Sequence, residues 1–341
     1  MTIADRIKMA RLSAGLSQEK LGEAVGVSKM AISKYEQGKV TPNSGMLVLL
    51  GKKLNVEIDY FFRTTSVELS NPQYRCRKKL RKKDEMLIHG KVADWLERYL
   101  EIEMITVTQT PLDLPPHDKC RVQTLEDIEG IAHTIREEWD LGLDPIENVM
   151  DVLEQHGIKI GIVDAPDTFD ALTFYYDGKI PVITVNKNTT GDRQRFNLAH
   201  ELGHLLLDIN GSIDEEAAAN RFAGAFLVPK DMAVKELGEK RHYIYLRELY
   251  VLKHKYGISM KAWIYRAHDL GIISSTTAKT LYIQLNKETK NKNEPGKQIQ
   301  TELPTYMHLL IFRAMTENKI TRSRARELFG GPIPEMTSIT E

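Results

Sequence analysis

His200, Glu201 and His204 form an H-E-x-x-H pattern inside an apolar run of helical length. Because residues four apart share one face of a helix, the two imidazoles can hold a single Zn²⁺. Zinc lowers the pKa of a bound water toward neutrality, and Glu201 can reach that water as general base. The pattern therefore predicts a peptidase centre with one Zn²⁺ per chain. The ligand types alone leave Mn²⁺ and Fe²⁺ as alternatives.

A catalytic zinc keeps three protein ligands, and the segment 212–229 supplies a third. Three alanines at 217–219 allow a helix here to approach its neighbour closely. Glu216 and Asn220 lie four residues apart, on one face of this helix. We predict that Glu216 binds the metal and that Asn220 hydrogen-bonds a ligand histidine. Glu215 is the alternative ligand.

Two runs around these residues carry a family resemblance: R-F-N-L-A-H-E-L-G-H-L-L-L (195–207) and E-x-x-A-N-R-F-A…L-V-P (216–229). They resemble the ImmA/IrrE metallopeptidases, as does the stretch K-Y-G-I-S-M-K-A-W-I-Y-R-A-H-D-L-G-I-I (255–273). Those enzymes are bacterial zinc proteases with a thermolysin-like core, and their known substrates are helix-turn-helix repressors. The resemblance covers roughly residues 120–275. It implies that His200, His204 and Glu216 are ligands and that Glu201 is the catalytic base.

Residues 1–63 have the pattern of short helices joined by tight turns. Ser17 and Ser28 stand where two helices begin, and Gly26 lies in the turn between those helices. The segment carries ten Lys/Arg and six Asp/Glu, which gives a charge of about +4 in a chain whose net charge is zero. These features favour a DNA-binding helix-turn-helix, with a helical protein-binding module as the alternative.

The run S-Q-E-x-L-G-E-A-V-G-V-S-K-M-A-I-S-K-Y-E-Q-G-K-x-x-P closely resembles the Cro/phage-repressor family. This resemblance implies that the chain reads a double-stranded DNA operator, as a homodimer on two half-sites. The DNA contacts that it implies are a phosphate contact from Gln18, major-groove contacts around the third helix from Ser28, Lys29, Met30, Ser33 and Lys34, and backbone or groove-edge contacts from Gln37 and Lys39.

The predicted architecture is multidomain, with an all-α helix-turn-helix domain at 1–63 and a basic helical linker at 64–116. An α+β zincin-like metallopeptidase domain with a small sheet follows at 117–275, and a flexible segment with a helical tail at 276–341. In the sheet, 158–163 is predicted as a strand and 169–185 as a hairpin with a primed turn at Asp177-Gly178. The edge strand of this sheet could hold an extended peptide by strand addition.

Three further segments have compositions that bear on function or flexibility. Seven of the nine residues at 75–83 are basic, which fits either a solvated helix face or additional phosphate contacts. The segment 286–300 is polar and is predicted to be flexible. His242, Tyr243 and Tyr245 are candidates for stabilising an oxyanion, although residues of these types are more often surface or core.

With 341 residues the chain can form more than one core, and its two cysteines are too few for a disulfide framework. The sequence has no signal peptide and no long apolar run, so we expect a cytoplasmic protein that does not bind membranes. The leading hypothesis is an operator-bound zinc endopeptidase that cleaves a repressor or another regulatory protein. One alternative is an autorepressing antitoxin whose zincin-like domain binds a toxin or senses a signal. The other is a self-cleaving repressor that cuts its own segment 63–116.

Overall fold

The computed structural model describes residues 2–63, 67, 69–76, 79–209, 213–289 and 294–333. Three hydrophobic clusters organise them, one in the N-terminal domain and one on each side of a central sheet. Within the described ranges, no helix combines the length and the apolarity that a membrane span requires.

The N-terminal domain is helical, as predicted. Its elements are α1 (Ile3–Ser13), α2 (Gln18–Val25), α3 (Lys29–Glu36), α4 (Ser44–Leu54) and a short 3₁₀ helix (Ile58–Phe62). The hydroxyls of Ser17 and Ser28 accept hydrogen bonds from backbone amides in the first turns of α2 and α3. Gly26 ends α2 with a φ of 76°, a left-handed conformation that glycine adopts without steric cost. The predicted caps and turn are confirmed.

A four-stranded sheet forms the centre of the second domain. The strands of the chain are β1 (Ser70–Cys76), β2 (Arg121–Val122), β3 (Lys159–Val163), β4 (Phe169–Tyr176), β5 (Ile180–Asn186) and β6 (Asp208–Ile209). The order is β1-β4-β5-β3, in which β3 runs parallel to β5 and β4 runs antiparallel to both β5 and β1. Asp177 and Gly178 both have positive φ, which confirms the predicted primed turn between β4 and β5. The strands β2 and β6 form a separate parallel pair.

Helices cover both faces of the sheet. They are α5 (Lys82–Thr106), α6 (Asp127–Glu138), α7 (Val149–Gln155), α8 (Gly191–Leu206), α9 (Glu215–Leu227), α10 (Lys230–Leu237), α11 (Leu246–Tyr256), α12 (Met260–Asp269), α13 (Ser275–Thr289), α14 (Tyr306–Thr316) and α15 (Arg322–Phe329). The cluster on one face includes α6–α13, and the cluster on the other includes α5, α14 and α15. On the α5 side a Cβ at Gly161 would lie 2.9 Å from ring atoms of Trp95, so only glycine allows this approach of strand and helix.

The long helix α5 connects the two domains. Arg6 of α1 forms a buried ion pair with Glu97 of α5. Arg63, at the end of the N-terminal domain, lies 3.0 Å from a carboxylate oxygen of Asp94 and 2.8 Å from one of Glu327. The segment predicted as a linker therefore holds the helix on which the N-terminal domain and the C-terminal helices both pack.

The prediction of a flexible polar segment at 286–300 is wrong for its described part. Residues 286–289 continue α13, and the Glu294 carboxylate accepts hydrogen bonds from the Lys253 ammonium and from two backbone amides of α12. Further on, the backbone N–H of Gly191 donates to the carbonyl of Ile299. Polar composition predicted solvent exposure, but these polar groups instead satisfy buried charges and the beginnings of helices.

Candidate metal centre and nucleic-acid interface

The helix α8 presents the two histidines of the motif on one face. His200 is fully buried and His204 lies partly open, with ring centroids 4.7 Å apart. The start of α8 is held tightly against the C-terminal segment, since a Cβ at Gly191 would lie 2.1 Å from the Gln300 carbonyl oxygen. This contact fixes the helix that carries the histidines.

The third candidate ligand comes from α9, which packs closely against α8. A Cβ at Gly203 would lie 3.2 Å from the Cα of Ala219, so small residues on both helices set their separation. Asp214 begins α9, and its carboxylate accepts a hydrogen bond from the Ala217 amide. The helix therefore starts at a fixed point, and Glu216 in its first turn reaches the histidines.

Three potential ligand atoms converge between α8 and α9. The Nε2 atoms of His200 and His204 are 3.0 Å apart, and the Glu216 carboxylate oxygens lie 3.5 Å and 3.3 Å from them. Tetrahedral zinc with ligand bonds of about 2.1 Å places its ligands about 3.4 Å apart, so these residues fit the metal. In the described ranges they are the one His/Cys/Asp/Glu group of metal-binding geometry, and Glu215 does not belong to it.

Asn220 fixes the orientation of His200. Its Oδ1 lies 2.9 Å from His200 Nδ1, which makes Nδ1 the protonated nitrogen and leaves the lone pair of Nε2 directed at the site. Burial lowers the pKa of His200 far below its ordinary value, and the nearby Arg75 guanidinium lowers it further. The imidazole is therefore neutral, as a metal ligand must be.

Glu201 is 2% exposed and lies on the sheet side of the site. Thr173 of β4 donates its hydroxyl to Glu201 Oε2 at 2.7 Å, while Oε1 has no hydrogen-bond partner within the described part of the chain. Burial raises the pKa of this carboxyl. Thr173 thus anchors Oε2, whereas Oε1 is buried without a hydrogen bond and is able to accept a proton.

Arg75 of β1 is a site residue that sequence reasoning missed. Its Nη2 lies 3.4 Å from Asn220 Oδ1, and its charge acts on Glu201 and Glu216. Burial lowers the pKa of the guanidinium, and Nη1 is buried with no partner among the residues that the structure describes. In the sequence Arg75 begins a run of basic residues, and nothing in that run distinguishes it from its neighbours.

The structure leaves the candidates for oxyanion stabilisation away from this centre. Tyr243 donates its hydroxyl to Gln284, and Tyr245 is exposed just before α11. The His242 carbonyl accepts a hydrogen bond from Thr277. Among the described residues, none of these three contacts either histidine.

The predicted DNA-contacting residues lie around α3. Lys29, Lys34 and Lys39 are exposed, and none of them forms an ion pair within the described ranges. Met30 is 67% exposed, which is unusual for a large apolar side chain with no contact to make. The face of α3 that carries these residues is therefore open to solvent, although α1 of the same domain packs on α5.

The other predicted DNA contacts have local partners. Gln37, which directly follows α3, donates its amide to the Ser33 hydroxyl at 3.1 Å, and this bond orders two neighbouring polar groups at the end of the helix. Gln18 is half-buried and donates to Glu36, which also accepts from Arg11. A phosphate contact by Gln18 remains a prediction, and it would have to use the part of the side chain that this bond leaves accessible.

Comparisons with known proteins agree with both halves of this description. Residues 153–268 match the IrrE N-terminal-like domain of the M78 peptidases, and residues 7–61 match the helix-turn-helix family. An uncharacterized HTH-type transcriptional regulator of Sinorhizobium medicae is 38% identical over 60 residues, which are 18% of this chain and 43% of the relative. Repressor protein C2 of Salmonella phage P22 is 30% identical over 95 residues, which are 28% of this chain and 44% of the relative. The chain thus spans less than half the length of these relatives.

Two solved structures are also similar in part. The P22 c2 repressor in complex with a synthetic operator is 36% identical and covers 18% of this chain and 92% of its own, with a TM-score of 0.18. A Mycobacterium tuberculosis transcriptional regulator is 18% identical, covers 50% of this chain and 51% of its own, and has a TM-score of 0.30. The two domain matches carry the assignment and confirm both resemblances. This chain joins an N-terminal helix-turn-helix domain of the XRE type to an IrrE-like domain with a metallopeptidase-like fold.

Proposed function

We propose that this chain is a DNA-binding transcriptional regulator whose IrrE-like domain is a zinc endopeptidase that cuts a regulatory protein. Helix-turn-helix repressors are the substrate class that the family resemblance implies. The observation that carries the proposal is the convergence of His200, His204 and Glu216 beside the buried carboxylate of Glu201. This combination supports hydrolysis, since ligands and a general base stand together in one site.

Each side chain of the site has a role in this proposal. His200, His204 and Glu216 would hold Zn²⁺, which when bound supplies a Lewis acid and lowers the pKa of water toward neutrality. Glu201 takes the proton of the attacking water at Oε1 and passes it to the leaving amine. Thr173 keeps the other oxygen of Glu201 in place, because its hydroxyl donates to Oε2. Asn220 keeps His200 in the correct tautomer.

The DNA-binding part of the proposal is supported by the face around α3. Exposed lysines that form no ion pair within the described ranges can release counterions from phosphates, and Met30 and Ser33 belong to α3, the helix that the family resemblance implies enters the major groove. We expect a homodimer on an operator with two half-sites. A regulator that binds DNA acts in the cytoplasm, in agreement with the free cysteines Cys76 and Cys120.

Elemental analysis of purified protein tests the metal centre. We expect about one zinc per chain in the wild type and a loss in His204→Ala. Glu216→Gln should lose zinc, whereas the matched variant Glu215→Gln should keep it. The same measurement identifies Mn²⁺ or Fe²⁺ if either is the resident ion.

Cleavage of a quenched fluorogenic peptide library tests the chemistry. Glu201→Gln should keep zinc and lower the cleavage rate by about 10²–10⁴, the usual contribution of a general base. Cleavage at the wild-type rate in this variant would refute the role of Glu201. A carefully prepared wild type without metal would favour the antitoxin alternative, and a co-purifying toxin would then be the partner to seek.

A further inference from the structure

The segment between the two domains forms an additional strand of the peptidase sheet. In the antiparallel pairing of β1 with β4, Gln73 lies opposite Thr173 and Arg75 lies opposite Ala171. Residues directly opposite each other in such a pair project on the same face of the sheet. Thr173 contacts Glu201 of α8, so Gln73 and Arg75 project toward the candidate metal centre.

The position of β1 is the one that a bound peptide requires. β4 is the strand that touches Glu201, and its other neighbour is β5. An extended peptide that adds to the sheet beside the catalytic carboxylate must therefore pair with the edge of β4 that β1 covers. A peptide that paired with the outer edge of β1 would lie one strand further from Glu201, and one strand adds about 4.8 Å.

The Arg75 side chain extends this occupation into the site itself. Its guanidinium lies against Asn220 and acts electrostatically on Glu201 and Glu216. Because the charge of the guanidinium also acts on His200, it opposes the approach of a cation to the site by like-charge repulsion. The backbone of β1 thus lies where the backbone of a substrate strand would pair with β4, and the Arg75 side chain lies where one substrate side chain would enter the site.

We propose that β1 is a pseudosubstrate strand, which closes the peptidase site in cis and is displaced by the true substrate. The substrate class that follows is an extended segment that pairs antiparallel with β4 and presents a basic side chain opposite Ala171. This inference rests on the proposed function and adds its regulation and its substrate preference.

The short connections of β1 make the closure effective. Only residues 64–69 separate Arg63 from β1, and only residues 77–81 separate β1 from α5. Tethers of this length give effective concentrations on the order of millimolar. A peptide in trans therefore meets a site that is open for a small fraction of the time, and its apparent affinity falls by that fraction.

Weakening the cis strand should expose the site. The probe is a fluorescein-labelled peptide of residues 69–76 carrying Cys76→Ser, and anisotropy reports its binding to zinc-loaded Glu201→Gln protein, which cannot cut it. In this background Arg75→Ala should bind the probe at least ten-fold tighter than the parent. Lys79→Ala removes the same charge from an exposed neighbour and should leave binding unchanged. A probe carrying Arg75→Ala should bind more weakly than the original to the opened protein.

A reversible lock provides the second test. Tyr74 lies opposite Leu172 on the face away from the metal site, so Tyr74→Cys with Leu172→Cys can join β1 to β4, with Cys76→Ser and Cys120→Ser preventing mispairing. The lock is combined with Arg75→Ala. The oxidised form should not bind the probe, and reductant should restore binding in the same sample, which excludes a folding defect as the cause. Equal binding in both redox states would overturn the proposal.

The outcomes separate this inference from the proposed function. Probe binding in the expected order, without cleavage of any peptide by the Glu201 enzyme, would reject the peptidase and keep only the finding that β1 is a displaceable strand covering a peptide-binding site. Zinc-loaded Arg75→Ala that binds the probe no better than the parent would reject the strand alone. The remaining case is that the enzyme cuts β1 itself. Mass spectrometry of the wild type after zinc addition tests this case, because a cut within or beside β1 would make β1 a true substrate and overturn its inhibitory role.

Discussion

Replacing Asn220 by Ala should weaken zinc binding without removing a ligand. Asn220 accepts the Nδ1 proton of His200 at 2.9 Å, a distance typical of a fully formed hydrogen bond. Without this acceptor the ring can rotate, and either nitrogen can carry the proton. Loss of such a partner usually lowers metal affinity 10–100-fold, or by about 1.4–2.7 kcal/mol.

The structure places the expected loss toward the lower end of that range. Asn220 is exposed although His200 is fully buried, so a water can take the place of the amide oxygen in part. We therefore expect about a ten-fold weaker zinc affinity, measured by competition with a chromophoric chelator at pH 7.

Asn220→Asp is the matched control, because a carboxylate at this position keeps the acceptor. Its zinc affinity should equal or exceed that of the wild type. Wild-type affinity in Asn220→Ala, or an equal loss in both variants, would refute the argument that this side chain acts by accepting the Nδ1 proton.

Three further predictions concern stability and DNA binding. Burial raises the pKa of Glu154 to about 7, so the penalty for ionising this carboxyl in the folded state is absent below pH 4.5 and grows until about pH 7. Over that range the wild type should lose up to about 3 kcal/mol of unfolding free energy, and Glu154→Gln should flatten this fall, measured by urea unfolding between pH 4.5 and 7.5. An unchanged slope would contradict this prediction. Glu97→Ala should lower the free energy of unfolding in urea by about 3 kcal/mol, since it leaves the charge of Arg6 buried without its carboxylate, and a change below about 0.5 kcal/mol would show that the pair is unimportant. Lys39→Ala should reduce the slope of log K against log salt for operator binding by about 0.9, while Lys52→Ala on α4 should not, and equal slopes would remove Lys39 from the interface.

The features that were predicted correctly depend on residues close together in the chain. The spacing of His200 and His204 places both on one face of α8, and Asp177-Gly178 specifies the turn of the hairpin whatever surrounds it. Ser17 and Ser28 begin their helices by bonding amides three residues ahead. In each case backbone geometry converts a short sequence interval into a position in space, so no tertiary information is needed.

The choice of Glu216 as the third candidate ligand required information beyond the local sequence. The sequence left Glu215 as its competitor, and the crossing of α8 and α9 at Gly203 decides which carboxylate meets the histidines. The choice depends on the rotation of one helix against another. That rotation follows from the packing of small residues that are distant in the chain.

The sequence by itself therefore determined the helix-turn-helix, the hairpin and the placement of the two histidines with Glu201 beside them. Only the tertiary structure decided that β1 completes the sheet, that Arg75 enters the candidate metal centre, and that Glu294 ties a polar segment to the core. Composition marked these last segments as solvated because charged residues usually lie in water. Here Arg75 and Glu294 instead contact partners far away in sequence, and local patterns carry no information about contacts of that range.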